Sequence, residues 1–356
     1  MKKRIEDIQD GDILASAVMT PDYKVLLAEG TVLKKDYIDK MKLLGITHVS
    51  VRESEISSTA KEKTYTVKAR ETFKEKTKEQ VKSVLETHIY KNNTSLQRLC
   101  KTADEIISNV LDEEQIVEEI MTIQDRSADL YEHAINCCIM STITALHLNY
   151  ETEAIRSISI GCLLHDIGLR YMEPFYVNKS FKEMTDKEKS EYKKHPVNGY
   201  FSLKDENWLD ELSKEIILYH HERLNGRGFP FRRKGKEIEA EIKLVSICDT
   251  YDELITGIGC NPVKPYKAIE YLKAFEKEKF DAKIVEEFLK ITTPYPNGCQ
   301  VMTNEGEVGV VQRQNKGFVD RPVIKIIRDK DGKDISEEKI LDLIKEKTVF
   351  ITDVLT

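Results

Sequence analysis

The stretch Leu163-Leu164-His165-Asp166-Ile167-Gly168 decides the reading of this chain. An adjacent histidine and aspartate end an apolar helical run there, at a glycine suited to a left-handed stop. Outward from this pair stand His133 on one side and His195, the pair His220-His221 and Asp249 on the other. Five of the eight histidines thus join two aspartates in one ordered series spread over several helical segments. Neutral imidazoles and carboxylates are what a pair of first-row divalent metals takes as ligands, and helices of a bundle can aim them at one point. One inward histidine such as His133 is more often a satisfied core residue than a ligand. The argument rests on the series.

The elements around these residues follow from apolar spacing. His133 shares a helix side with Cys137 and Met140, a helix fits 154–167, and Pro196 suits the first turn of a helix beginning at His195. His220-His221 close a helix over 213–223, and Asp249 lies on one over 240–254. Turns are expected at Asn149, Gly168, Gly199, the 225–230 loop and Asn261-Pro262. Residues 115–291 therefore read as an all-α domain. Before it, 1–55 read as a small α+β domain with short strands at 25–27, 31–33 and 47–51 and a helix over 36–44. Residues 56–114 read as a charged helical linker and a leading helix, in which Leu96, Leu99, Ala103, Ile106, Ile107 and Val110 recur at helical spacing, with a further helix from Ile116 to 123. After it, 292–356 alternate apolar and polar residues at 301–303, 307–311 and 323–327, with turns at 304–306 and 331–332. A short helix over 337–344 and a last strand near Val349 complete a small β-rich domain. The chain is thus multidomain, with a helical catalytic domain between an N-terminal α+β and a C-terminal β-rich domain.

Bulk properties narrow the function. A net charge of −7 argues against coating a nucleic-acid polymer, although metals and a few lysines can reverse the sign locally for a small anion. No apolar run approaches the roughly 20 residues of a membrane span, and the N-terminus has no apolar signal region, so a cytoplasmic protein is expected. Seven cysteines without a Cys-x-x-Cys pair read as reduced thiols.

The string His220-His221-Glu222-Arg223-Leu224-Asn225-Gly226-Arg227-Gly228-Phe229-Pro230, together with the His165-Asp166 string, resembles the HD-GYP family of HD-superfamily phosphodiesterases that hydrolyse cyclic di-GMP. The resemblance spans roughly 115–290. It implies an all-α HD-superfamily fold and two divalent transition metals, iron or manganese by ligand type, bridged by Asp166. It assigns His133, His165, Asp166 and Asp249 to one metal, and Asp166, His195, His220 and His221 to the other. The implied reaction opens a phosphodiester to linear pGpG or onward to GMP. Two cations about 3.5–4 Å apart clamp the anion and lower the pKa of a bridging water from ~15.7 towards neutrality. Asp129 stands four residues before His133, where some members carry a Glu that holds a third metal; a helix cap is the competing reading.

This chain also departs from the family. Asn225 stands for the usual Asp and Phe229 for the usual Tyr of the GYP-like loop Asn225, Gly226, Gly228, Phe229 and Pro230. Leu169 stands where a phosphate-reaching Lys follows the HD string, with Arg170 next, and Lys264-Pro265-Tyr266-Lys267 replaces an Arg-rich segment. Arg170, Lys264 and Lys267 are the expected substrate cations. Other readings are a phosphohydrolase acting on another nucleotide, or a metal-bound cyclic-dinucleotide sensor signalling by contact. Partners implied are a cyclic dinucleotide, a protein such as a diguanylate cyclase through the loop, and a second copy of the chain.

Overall fold

In the computed structural model, the described residues are 128–315 and 318–355, helical segments within 76–86 and 96–112, and scattered residues between 2 and 51. Residues 1–76 and 111–113 form one compact unit, and 77–110 with 114–356 form another.

The N-terminal unit holds two antiparallel two-stranded ribbons. In one, β1 (Lys2–Arg4) pairs with β4 (His48–Ser50); in the other, β2 (Val18–Met19) pairs with β3 (Val25–Leu27). Leu14, Leu33, Met41, Val49 and Val51 form its small core. The expected helix over 36–44 lies, apart from Met41, outside the described residues, as do the linker over 56–75 and the helix expected from 116 to 123.

The second unit is helical through its first two thirds. Residues 76–86 form α1 and Arg98–Asp112 form α2. The helices that carry or border the clustered histidines and aspartates follow: α3 (Leu130–His147), α4 (Thr152–Leu164), α5 (Asp186–Tyr192), α6 (His195–Leu203), α7 (Glu211–Tyr219) and α8 (Ala240–Thr256). Two further helices, α9 (Pro265–Ala274) and α10 (Ala282–Lys290), complete the bundle. Helix α3 packs between α4 and α8, and α4 packs on α7. Both α3 and α4 bury nearly their whole length, because their apolar residues run round the helix and not along one stripe.

Two expected turns resolve differently. Helix α4 ends at Leu164, and Gly168 lies in a 3-10 turn (Ile167–Tyr171) with ordinary negative φ, not in a left-handed cap. Gly199 is inside α6. Both lack a side chain because the backbones meet: a Cβ on Gly168 would lie 2.0 Å from the carbonyl oxygen of His195, and one on Gly199 would lie 3.4 Å from the Gly168 nitrogen. This contact brings the turn after the HD pair against the start of α6.

The C-terminal part is a five-stranded antiparallel sheet, ordered β8-β7-β6-β5-β9. Its strands are β5 (Gln300–Thr303), β6 (Val308–Asn315), β7 (Phe318–Arg328), β8 (Asp334–Asp342) and β9 (Ile351–Val354). The helix expected over 337–344 is instead mostly strand β8, since pairing of Ile340, Leu341 and Asp342 with β7 outweighs local helix propensity. Val301, Val311, Ile324, Ile326 and Val354 fill the core, and Tyr266 of α9 packs against it.

Gly168→Ala is expected to cost about 3 kcal/mol or more through overpacking. Gly235→Ala, where a Cβ meets nothing within 4 Å, should change stability by less than about 0.5 kcal/mol. Urea unfolding of the two variants tests this, and equal midpoints would remove the role given to the Gly168 backbone approach.

Candidate metal centre

The helix ends deliver the ligand series to one buried point. His133, His165, His195 and His220 are 0% exposed, His221 4%, Asp249 1% and Asp166 7%. His165 follows the last residue of α4, His195 opens α6, and His220 follows the last residue of α7. The α7 helix therefore stops four residues short of the expected 223. His133 and Asp249 come from within α3 and α8.

Asp166 sits between two histidine pairs. Its Oδ2 is 3.6 Å from Nε2 of both His133 and His165. Its Oδ1 is 3.2 Å from Nε2 of His195 and 3.6 Å from Nε2 of His220. The paired nitrogens are themselves close, at 3.0 Å for His133 and His165 and 3.2 Å for His195 and His220. Asp249 Oδ1 closes the first pair, 3.2 Å from His133 Nε2 and 3.4 Å from His165 Nε2. Asp249 Oδ2 lies 3.7 Å from His221 Nδ1.

Backbone and carboxylate partners fix the other ring nitrogens. Nδ1 of His165 meets the Cys162 carbonyl at 2.6 Å, that of His195 the Tyr192 carbonyl at 2.7 Å, and that of His220 the Ile217 carbonyl at 3.0 Å. His133 Nδ1 faces Asp252 Oδ2 at 2.8 Å. A carbonyl can only accept, so in the neutral rings Nδ1 carries the proton and Nε2 turns its lone pair inward, as a metal ligand requires. Among the described residues, buried Asp166 Oδ1, both oxygens of Asp249 and His221 Nε2 have no hydrogen-bond partner. Orphaned donor atoms of this kind, converging in groups of three and four, fit divalent cations.

The electrostatics divide the site. Burial opposes charge on His165, but the Asp166 and Asp249 carboxylates outweigh it and raise its pKa to about 9. Burial likewise opposes charge on His133, and Asp249 and Asp252 hold it well above the ordinary value. Burial lowers His220 and, with the adjacent His220, holds His221 well below the ordinary value. Cys137 also lies within reach of His165 and Asp249. Its hydrogen bond with Cys162, aided by burial, pushes it well above the ordinary thiol value, so it remains a neutral thiol.

Asp129 is placed otherwise. It precedes α3 in extended backbone, where Oδ1 accepts from the Tyr131 and Glu132 backbone nitrogens and Oδ2 pairs with Lys78 Nζ at 2.8 Å. Its oxygens cap a helix and hold an ammonium. The expected substrate cations are also dispersed. Lys264 Nζ donates to the Val354 carbonyl of β9, Lys267 stands 5.9 Å from the Tyr266 ring, and Arg170 lies beside the Tyr131 hydroxyl. Leu169 is 0% exposed among Tyr176, Met184, Tyr192 and Ile258, so a lysine there would bury its charge in an apolar cluster.

The glycine-rich loop closes the site on one side. Phe229 stacks on the His221 ring at 4.4 Å and 29°, a contact that needs no phenol hydroxyl. Asn225 Oδ1 accepts from Arg227 N while Nδ2 donates to Glu278 Oε1, and an ionised carboxylate could not make the second bond. A Cβ on Gly228 would lie 2.5 Å from the His221 carbonyl. Glu222, missed in the sequence, accepts from the Phe231 and Arg233 nitrogens and anchors the loop from beneath. Asp252 was missed too, although its place three residues after Asp249 on α8 puts both on one helix face. Tyr192, which supports His195 and donates to Glu253 Oε1 at 2.9 Å, had no signal beyond its aromatic character.

Residues 118–284 match the family model described as HD domain, and 300–356 match the KOW domain associated with HD domain. A cyclic di-GMP phosphodiesterase of Pseudomonas aeruginosa is 27% identical over 67% of this chain and 58% of its own length. A cyclic di-GMP phosphodiesterase response regulator of Xanthomonas campestris is 30% identical over 42% of this chain and 39% of its own. The chain thus spans little more than half, or less, of these curated relatives. Among solved structures, an HD-GYP-type protein of Bdellovibrio bacteriovorus superposes with a TM-score of 0.54 at 20% identity, covering 81% of this chain and 97% of the other, and shares the fold. No helix among the described residues is long and apolar enough to cross a membrane. Residues 118–284, which match the HD domain model, carry five histidines, two aspartates and the loop ending at Pro230 in the order that the HD-GYP resemblance implies, and the segment after them matches the KOW domain model.

Proposed function

We propose that this chain is a cytoplasmic metal-dependent phosphodiesterase that hydrolyses cyclic di-GMP to linear pGpG. The observation that carries the reading is Asp166, whose two oxygens each face a separate pair of Nε2 atoms. A carboxylate so placed suits a bridge between two cations. The donors are all nitrogen and oxygen, which favours iron or manganese over a thiolate-bound structural zinc. With the oxygens of Asp129 committed to the helix cap and Lys78, two metals suit the site better than three. Bound there, the pair would neutralise phosphate oxygens and supply an activated water at neutral pH.

The chain's own residues set the conditions. His165, His195 and His220 hold their Nε2 lone pairs in place through the Nδ1 contacts. His133 is held by Asp252, and Phe229 covers His221. Burial keeps bulk water from the reacting phosphate and strengthens each charge interaction. The loop from Asn225 to Pro230 and the outer domains are left to recruit partners or regulate.

Protein loaded anaerobically with Fe(II) or Mn(II) should hold at least two metals per chain and open cyclic di-GMP, and a chelator should stop it. Asp166→Ala should abolish turnover while helical circular dichroism persists. Fewer than one metal per chain in the loaded wild type would sink the reading.

Asp252→Asn leaves the ring of His133 without its carboxylate partner. Loss of such an outer partner typically weakens metal affinity by about 10–100-fold. Competition with a metal-binding dye measures it, and an unchanged affinity would show that Asp252 is only a packing residue.

Metal loading should also be proton-linked. His165 has a folded pKa of about 9, above its ordinary 6.5, so in protein stripped of metal its proton stabilises the fold fully below pH 6.5. That contribution is lost as pH rises towards 9. Metals need the lone pair, so binding at pH 7 should release protons and the apparent affinity should rise with pH up to about 9. Calorimetry in buffers of different ionisation heat reads the release; a release of zero at pH 7 contradicts the assignment of His165.

A further inference from the structure

Beside the histidines runs a groove of about 590 Å³ that the proposed reaction leaves unused. One wall is the junction of α5 and α6, with Lys193 and Lys194; the other is the glycine-rich loop, with Arg227, Phe229 and Arg232. Among the described residues no carboxylate lines it, in a chain whose net charge is −7. Nearby acids are engaged elsewhere: Glu222 by the Phe231 and Arg233 backbone nitrogens, and Glu188 by Lys179 and Thr185. Among the described residues Lys194, Arg227 and Arg232 form no ion pair, and Lys193 only faces the Phe181 ring at 5.5 Å.

Two features mark this groove as built. Arg232 is held at φ 59°, a left-handed conformation that arginine rarely adopts, and Glu222 binds the backbone nitrogens on both sides of it. Strain kept in place by a buried anchor is characteristic of binding sites. Phe229 also belongs to both regions, lining the groove while its ring stacks on His221. A ligand in the groove therefore lies one aromatic ring away from the metal-ligand set.

We propose that this groove binds the phosphate of a nucleotide and, resting on the phosphodiesterase reading above, holds the substrate phosphate that is not being cleaved. A cyclic dinucleotide carries two phosphates on opposite sides of its ring, so a clamp at one leaves the other needing a counter-charge. Arg170, Lys264 and Lys267 have other neighbours, and Leu169 is apolar. Lys193, Lys194, Arg227 and Arg232 supply that charge from a concave surface, and the two guanidinium groups can grip phosphate oxygens bidentately.

The test uses full-length protein stripped of metal and titrated calorimetrically with linear pGpG and with GMP. Wild type should bind both, more weakly as salt rises. Removing one charge-assisted hydrogen bond to phosphate should weaken binding by about tenfold, so Lys194→Ala with Arg232→Ala should cost about 100-fold. Both residues are exposed, and a thermal scan checks that the fold persists. Lys283→Ala, an exposed charge on α10, should leave affinity within about twofold and so exclude a general charge effect. In the metal-loaded enzyme the double variant should lose kcat/KM for cyclic di-GMP mostly through KM. Absence of pGpG binding to the wild type, or binding unchanged in the double variant, overturns the groove assignment even if hydrolysis is observed. Nucleotide binding that depends on these cations in a protein that cleaves no cyclic dinucleotide supports the groove and overturns the phosphodiesterase reading instead. Binding of an acidic protein without nucleotide binding also overturns the groove assignment.

Discussion

Three of the five clustered histidines hold their rings by the same bond, from Nδ1 to the carbonyl three residues earlier. His165 meets Cys162, His195 meets Tyr192 and His220 meets Ile217. Those carbonyls lie in the last turns of α4, α5 and α7, where a helix leaves its final carbonyls without an internal partner. Each imidazole satisfies a helix end with its Nδ1 proton and so leaves Nε2 as the atom that faces Asp166. Secondary structure and ligand chemistry thus share the same bonds. His133 lies within α3, where the carbonyls are already paired, so its proton partner must come from another helix, and Asp252 supplies it.

The meeting of Gly168 and Gly199 carries this arrangement into three dimensions. Because neither has a side chain, the turn after Asp166 rests on the His195 backbone, and the Asp166 carboxylate reaches histidines from four helical segments. Two carboxylates buried this deeply would be costly alone. His133 and His165, both lifted above their ordinary pKa values, offset that cost with protons that cations can replace. The His220-His221 side carries no such protons, so the two halves of the site differ in what a cation must displace.

Much of this was legible in the sequence because ligand type and order survive without coordinates. The His165-Asp166 pair, the His220-His221 pair and Pro196 mark helix ends by local chemistry alone, and the sheet's turns at Gly306 and Gly332 carry the positive φ that their positions suggest. What was not legible depends on neighbours distant in sequence. Gly168 and Gly199 read as turn formers because a close backbone approach leaves no local mark. Residues 334–342 have polar, helix-tolerant composition and become a strand only through pairing with β7. Asp129 lies one turn from His133 on a continuous helix, but α3 starts after it, and Lys78 from α1 completes its role as a cap.

The segment Lys264-Pro265-Tyr266-Lys267 shows why motif position does not transfer function by itself. In a bundle standing alone, its lysines would be free to turn towards a phosphate. Here Tyr266 packs into the core of the C-terminal sheet and Lys264 donates to the carbonyl of Val354 on the edge strand β9. The start of α9 has become a seam between the HD domain and the sheet. A side chain committed to a seam cannot also track a ligand without breaking it, so a sheet docked at this place favours moving anion recognition elsewhere on the bundle. The cations Arg227 and Arg232 lie at the opposite kind of surface, a loop anchored by Glu222 whose backbone is already fixed and whose charged side chains remain exposed. Because the backbone is already fixed, binding has only the charged side chains left to order, which is the physical advantage of reading phosphate from this loop and not from the seam.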